Sequence, residues 1–356
     1  MELSPSFWRG RKVLVTGHSG FKGSWLVLWL QALEAEVAGL ALSAPAGPSL
    51  WEEARVEHGM SAVRGDVRDL GVVEAAFAEH RPEVVLHLAA QPIVSRSLKD
   101  PAGTFEVNVM GTVNVLEAAR RTTGVRVIVN VTSDKAYEDA NSGEAHRERD
   151  RLGGRDPYSA SKACSELVTA AYRESFDGPA VATARAGNVI GGGDWGEDRL
   201  LPDLMRAAAG GRPAVIRRPD AVRPWQHVLN PLSGYLLLVE RLWERGEELA
   251  GGWNFAPAES DAWPVRQVIE RVSALWGREI PVELAAEPGF AETHYLKLDS
   301  SKARAELGWS PGWALEEGLA AVVEWYRARH AGEDVRELTL AQIRAHPAAA
   351  ALPSAA

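Results

Sequence analysis

In the amino-terminal half, short apolar, β-branched runs alternate with segments whose apolar residues recur every three or four positions. Lys12–Thr16 (KVLVT) predicts a strand, Gly20–Ala35 an amphipathic helix and Glu36–Leu42 a second strand. Further on, Val84–Leu88 predicts a strand, Thr104–Arg121 a helix and Val125–Val131 a strand. Tyr158–Phe176 then predicts a long helix and Ala180–Arg185 a closing strand. Short strands separated by helices are successive βαβ units, and such units build a parallel sheet.

Beyond Asn188 the pattern is broken repeatedly, at Gly191-Gly192-Gly193, Pro202, Gly210-Gly211, Pro213, Pro219 and Pro224. Helical periodicity returns in Pro231–Glu247, Val265–Trp276 and Leu315–His330. The fold class expected is therefore α/β: a doubly wound parallel (Rossmann) sheet with a smaller C-terminal substrate-binding lobe. Residues 1–187 are assigned to the Rossmann domain, with 227–258 returning to it. Residues 188–226 and 259–340 are assigned to the lobe, and 341–356, ending in the alanine-rich His346–Ala356, to a disordered tail.

Of the 356 residues, 46% are hydrophobic and 24% charged, so a folded chain of about two domains is expected. The net charge of −9 argues against a nucleic-acid partner, whose phosphates demand a basic face. No run of about 18 apolar residues occurs, so no membrane span is expected. The single cysteine, Cys164, excludes an internal disulfide framework and a cysteine zinc site, and no metal site is read. The first residues show no signal-peptide pattern, and a cytoplasmic location is expected.

Gly17-His18-Ser19-Gly20-Phe21-Lys22-Gly23 follows the first strand at once and opens the first helix. Gly17 permits a tight turn, Gly20 lets the backbone approach a pyrophosphate, and Gly23 lets helix and strand pack closely. The helix N-terminus then faces the anion. The second strand ends in Leu40-Ala41-Leu42-Ser43-Ala44, with no acid for the ribose hydroxyls and no arginine for a 2′-phosphate. That favours NAD over NADP and predicts weak binding. Asp66, followed by Val67, either accepts from the adenine amino group or caps the next helix.

Tyr158 and Lys162 lie four apart at the start of a helix and share a face. An ammonium one turn from a phenol favours phenolate, so the reading has Lys162 lowering the Tyr158 pKa to make a base near neutral pH. Thr132-Ser133, at a strand end, supplies the hydroxyl that holds a substrate.

With these residues the chain resembles the extended short-chain dehydrogenase/reductase family, which acts on nucleotide-sugars. The resemblance spans about Trp8 to Trp325. It is narrowest with the branch that dehydrates CDP-glucose, and rests on Gly17–Leu26, Thr132-Ser133-Asp134-Lys135, Asn188–Trp195 and Arg223–Val228. It implies NAD as cofactor, with Leu88, Ala89, Ala90, Gln91, Asn108 and Thr132 on the cofactor side and Tyr158 and Lys162 touching it as well. A homodimer or a tetramer is expected, with the helices of Asp100–Arg121 and Tyr158–Phe176 as pairing elements.

In members that dehydrate dTDP-glucose an Asp-Glu pair occupies the positions of Asp134 and Lys135. The resemblance implies that Asp134 protonates the departing 6-hydroxyl, for which burial would raise its pKa. Lys135 either removes the carbon-5 proton or stabilises the enolate electrostatically. Ser133, Asp134, Lys135, Tyr158 and Lys162 are thus the catalytic candidates. The implied reaction is NAD-dependent dehydration of CDP-D-glucose to the 4-keto-6-deoxy sugar. Another nucleotide-hexose 4,6-dehydratase or a 4-epimerase is the alternative, and the epimerase has no need of the Asp-Lys pair.

The substrate candidates are Gln91, Ser133, Asn188, Arg199, Leu200 and Arg223, with Arg199 and Arg223 as cations for the diphosphate. Asn188 has a turn residue as its lesser alternative, and Arg217 and Arg218 read equally as a surface pair. Trp195, Trp225 and His227 read mainly as packing residues. One departure from the family pattern is Asn141-Ser142-Gly143-Glu144-Ala145-His146 before Arg147-Glu148, where the family carries aromatic residues. It puts the sugar-side wall in question.

Overall fold

In the computed structural model, residues 2–44, 47–138, 144–285 and 297–349 are described. Seven parallel strands form the central sheet. They include β1 (Lys12–Thr16), β2 (Glu36–Ala41), β3 (Ser61–Arg64), β4 (Val84–His87), β5 (Val127–Val131) and β6 (Ala180–Arg185). A last strand, Gly251–Asn254, pairs with β6 and sets the order Gly251–Asn254, β6, β5, β4, β1, β2, β3.

Side chains alternate across β1, so Val13 and Val15 enter one apolar layer while Leu14 enters the other. The first layer holds Trp25 and Trp29 of the helix Phe21–Ala32, and the second holds Phe77 of the helix Leu70–His80. The chain runs outward from β1 toward β3, then returns to β4 on its other flank. Strand order therefore reverses between β1 and β4, where a doubly wound sheet opens its ligand crevice.

The helix expected over Thr104–Arg121 is interrupted. Pro101–Phe105 and Gly111–Arg121 are α-helical, and Glu106–Met110 forms a π-turn that carries Asn108. The lobe beyond Asn188 consists of short ladders. Val189–Ile190 pairs with Gln226–His227, Val222–Pro224 with Ala262–Pro264, and Ala214–Ile216 with Val282–Leu284.

The expected disordered tail is corrected through residue 349. Val335–Ala345 is a helix and Pro347–Ala349 a single 3-10 turn. His346 is fully buried, its ring edge-on to Trp29 at 5.5 Å and tilted against Trp313 at 5.6 Å. The Leu3 amide donates to the Ala348 carbonyl at 3.0 Å, joining the two ends of the described chain. The alanine-rich composition offered nothing to bury, yet Ala348 and Ala349 are themselves buried. Residues 350–356 of that expectation lie outside the described residues.

Candidate active site

The glycine loop is shaped by close approach. Gly17 has φ +74°, and a Cβ there would lie 2.7 Å from the Ala89 nitrogen. A Cβ on Gly23 would fall 2.1 Å from the Gly17 carbonyl oxygen. Gly20 is the N-cap of the helix Phe21–Ala32 and offers no side chain to its amides, which remain available to an anion. This cradle, at the reversal of strand order, fits the pyrophosphate of a dinucleotide.

The rest of the loop divides. Ser19 Oγ donates to the Leu42 carbonyl at 3.1 Å. His18 is buried against Trp51, ring centres 4.8 Å apart, and burial lowers its pKa to about 4. The half-buried Lys22 faces Asp134, Asp194, Arg199 and Lys162. Burial, then Arg199, bring it down to about 8, against the pull of the two carboxylates.

At the adenine end, Asp66 accepts from the Arg68 guanidinium at 2.7 Å and from the Arg68 amide at 2.9 Å. The hydrogen bonds from Arg68 hold its carboxyl below the usual value. It is not the helix cap, since Asp69 accepts from the Gly71 and Val72 amides. Val67 is buried beneath Gly111, where a Cβ would meet it at 2.8 Å.

Leu88, Ala89, Ala90 and Gln91 form the loop after β4. The Leu88 amide donates to the Thr16 carbonyl at 3.1 Å, and the Ala89 amide to Thr16 Oγ1 at 3.2 Å. Asn108 accepts from the Gln91 amide at 2.8 Å and donates to the Gln91 carbonyl at 3.1 Å and to Ser161 Oγ at 2.8 Å. Its buried amide thus ties the cofactor loop to the Tyr158 helix and positions both. The Gln91 side chain is likewise held by Ile93 and by Thr104, with Nε2 donating to Thr104 Oγ1 at 3.0 Å.

The catalytic candidates meet where β5 ends. Asp156 caps the helix Pro157–Ser175 through the Ser159 amide, which sets Tyr158 in its first turn. The Tyr158 phenol lies beside the Ser133 hydroxyl. Ser133 Oγ donates to Asp134 Oδ1 at 2.9 Å, and the Lys135 amide donates to the same oxygen at 2.9 Å. Ser133, Asp134, Tyr158 and Lys162 are all buried, and Lys135 is half-buried. Gly187 leaves room for this arrangement, because a Cβ on it would lie 1.8 Å from Asp134 Oδ2.

One expectation is corrected here. Burial pushes the Tyr158 phenol up to about 12, opposed by the neighbouring Ser133 hydroxyl and reinforced by the Asp134 charge. The Lys162 ammonium donates to the Val131 carbonyl at 3.2 Å. Burial and the neighbouring Lys22 lower Lys162 itself to about 8.

On the lobe side, Arg199 precedes the helix Leu200–Ala208 and donates to Asp194 at 3.0 Å. Its charge acts on both Tyr158 and Lys22, so it faces the catalytic cluster. Leu200 is half-buried at that helix start. Asn188 takes φ +47°, a turn conformation, and its carbonyl accepts from the Gln226 amide. Arg223 is half-buried in the Val222–Pro224 strand, its guanidinium donating to the Val222 carbonyl at 3.1 Å. Arg217 pairs with Asp198 at the surface at 3.1 Å. Trp225 and His227 are packing residues, the His227 ring lying 4.9 Å from Trp313.

Within the departing segment, residues 141–143 lie outside the described residues. Its described part is anchored by a stack of His146 on Tyr137, with ring centres 4.7 Å apart and planes 5° from parallel. Two functional-site residues escaped the sequence reading: Glu166 and Arg185, an ion pair at 2.7 Å buried directly behind Thr132. The spacing of Glu166, four beyond Lys162, was the available signal.

A dinucleotide cradle facing a buried Ser–Asp–Tyr–Lys cluster defines a class of nucleotide-dependent oxidoreductive enzymes. The chain belongs to the NAD dependent epimerase/dehydratase family, whose model matches residues 13–248. Its cofactor is accordingly NAD. Among individual relatives, it is 46% identical over 341 residues to CDP-glucose 4,6-dehydratase of Salmonella typhimurium, covering 94% of this chain and 95% of that protein. It is 31% identical to UDP-glucose 4-epimerase of Mycolicibacterium smegmatis, covering 89% of this chain and 98% of the relative. Among solved structures, the NAD complex of Thermus thermophilus UDP-glucose 4-epimerase superposes with a TM-score of 0.77 at 31% identity, covering 88% of this chain and 98% of the other.

Proposed function

We propose that this protein dehydrates CDP-D-glucose to CDP-4-keto-6-deoxy-D-glucose. One observation carries the reading. A buried carboxyl, Asp134, accepts from the Ser133 hydroxyl at one strand end, beside the Tyr158 phenol. A 4-epimerase has no use for an acid there, whereas loss of water requires one. The 46% identity to a CDP-glucose dehydratase supports the same choice.

NAD, held by the loop of Gly17–Gly23, would supply the acceptor for the hydride of carbon 4 and its later return to carbon 6. Tyr158 takes the 4-hydroxyl proton, with Ser133 holding that oxygen. The resulting ketone acidifies carbon 5. Lys135 then removes the carbon-5 proton, or stabilises the enolate while water takes that proton, as Asp134 protonates the departing 6-hydroxyl; carbon 5 takes a proton back from the same side when hydride returns to carbon 6. Arg199 and Arg223 supply cations for the diphosphate. Residues 188–226 and 259–340 form the substrate side in this reading, and 1–187 with 227–258 the cofactor side.

A homodimer, or a tetramer built from it, belongs to the same reading. Exposed apolar side chains on the two pairing elements support it: Phe105 and Met110 on one, Leu167 and Phe176 on the other. No helix among the described residues is long and apolar enough to cross a membrane. The cytoplasm is the proposed location, supported by a single, unpaired cysteine.

The test is incubation with CDP-, dTDP-, UDP- and GDP-glucose plus NAD. A 4-keto product absorbs in the ultraviolet at alkaline pH, and an epimer does not. Formation of that product from CDP-glucose first among the four supports the proposal. An epimerised hexose, or equal turnover of all four, counts against it.

A further inference from the structure

Glu166 lies one helical turn beyond Lys162 and two beyond Tyr158, so the three share a face of the helix Pro157–Ser175. Its side chain is 3% exposed. Four donors converge on its carboxylate. Thr132 Oγ1 and Arg185 Nε, the latter at 2.8 Å, donate to one oxygen; Thr183 Oγ1 at 2.6 Å and Arg185 Nη2 at 2.7 Å donate to the other. Arg185 also donates to the Tyr137 hydroxyl and, at 3.2 Å, to the Glu148 carbonyl. Thr132 immediately precedes Ser133 and Asp134.

A buried ion pair is poor evidence of a purely stabilising role, since apolar residues of similar volume often serve stability as well. Here the pair sits behind both halves of the catalytic cluster. We infer that Glu166 is a positioning residue with two tasks: it fixes Thr132, and so the Ser133–Asp134 turn, and it is the counter-charge that keeps Lys162 an ammonium.

The groups facing Lys162 support the second task. Lys22 approaches from the glycine-loop helix, His87 from β4, the Val131 carbonyl from β5, and Glu166 from its own helix, on the face shared with Tyr158. Burial and Lys22 both favour the neutral amine, and Glu166 opposes them. Glu166 itself is kept ionised. Burial alone would raise its pKa, but Arg185 and the two threonine hydroxyls bring it below the ordinary value.

The inference rests on the reading of Tyr158 and Lys162 as the oxidising pair, so its test needs a readout free of substrate and cofactor. Lysine side chains labelled at Cε report their own titration by NMR, and Lys162→Arg identifies the Lys162 signal. In Glu166→Gln, Lys162 is expected to titrate about one unit lower than in the wild type. Because Gln leaves the Arg185 guanidinium buried without its partner, Glu166→Gln/Arg185→Met is titrated alongside, with a smaller shift in the same direction expected because a cation leaves with the carboxylate. Thr132→Val probes the first task, with kcat for the sugar nucleotide falling at least tenfold while the Lys162 titration stays in place. An unmoved Lys162 titration in either folded charge variant overturns the counter-charge, and an unchanged kcat in Thr132→Val overturns the positioning of the turn. A wild type that converts no glucose nucleotide would instead sink the dehydratase reading, while the Lys162 titration would still decide this one.

Discussion

Asp134 owes its position to a residue it never bonds. A side chain on Gly187 would place a carbon 1.8 Å from Asp134 Oδ2, so Gly187→Ala must drive the carboxyl away from Ser133. Gly187→Ala is expected to behave like Asp134→Asn. In a single turnover, reduced nicotinamide should still form, while elimination slows by about 10²- to 10⁴-fold, the usual worth of a general acid. Equal loss of both steps in rapid-mixing absorbance would remove Asp134 from the role of acid. Lys162 sets a further limit. With its pKa lowered to about 8, the ammonium is present below that pH and lost above it, so kcat should fall as pH rises through about 8. Tyr158, Lys162 and Asp134 were legible because each lies in a short local motif. Gly187 was not, because its effect is a contact between neighbouring strand ends. Gln91 and Asn108 matched a cofactor-side pattern, yet the fold uses their amides to brace loop and helix.

At the scale of elements, sequence periodicity located β1, β2, β4, β5 and β6 to within a few residues, because a sheet buried on both faces demands continuous apolar runs; of the helices it found six and missed others, among them Leu70–His80 and Val335–Ala345. It missed β3, whose residues Ser61–Arg64 lie largely exposed at the sheet edge. It missed Gly251–Asn254 for a different reason. A Cβ on Gly252 would lie 2.6 Å from the Arg185 guanidinium, so that strand gives up β-forming side chains to clear a buried cation. The same pairing makes a stability prediction. Arg185→Met leaves Glu166 buried and unpaired, and should cost about 3–5 kcal/mol. Glu166→Gln/Arg185→Met should cost less than Arg185→Met alone. Urea denaturation of the single and double variants measures both, and a double variant no more stable than the single one would contradict the ion-pair description.

Over the whole molecule, four buried histidines make stability depend on pH. Burial lowers His18 to about 4 and His87, His227 and His346 to about 3, from an ordinary value of 6.5. Above pH 6.5 they are neutral whether folded or unfolded and contribute no slope. Below it the unfolded chain takes up protons that the folded chain refuses, so stability falls as pH drops toward 3 to 4. Each histidine contributes up to about 1.4 kcal/mol per pH unit. Urea midpoints at pH 7.5 and 5.0 should therefore differ clearly, and less so in His227→Gln, whereas a flat profile would contradict the burial of these rings. His346 also anchors the chain end through residue 349: it closes the aromatic cluster of Trp29 and Trp313.

The most direct test of the central claim, that water is expelled between an oxidation and a reduction, is turnover of CDP-glucose with NAD in heavy water. The expected product is a 4-keto-6-deoxy sugar carrying solvent deuterium at carbon 5, seen by NMR and mass spectrometry. A hexose epimerised at carbon 4, with its 6-hydroxyl intact and no deuterium on carbon, would contradict it.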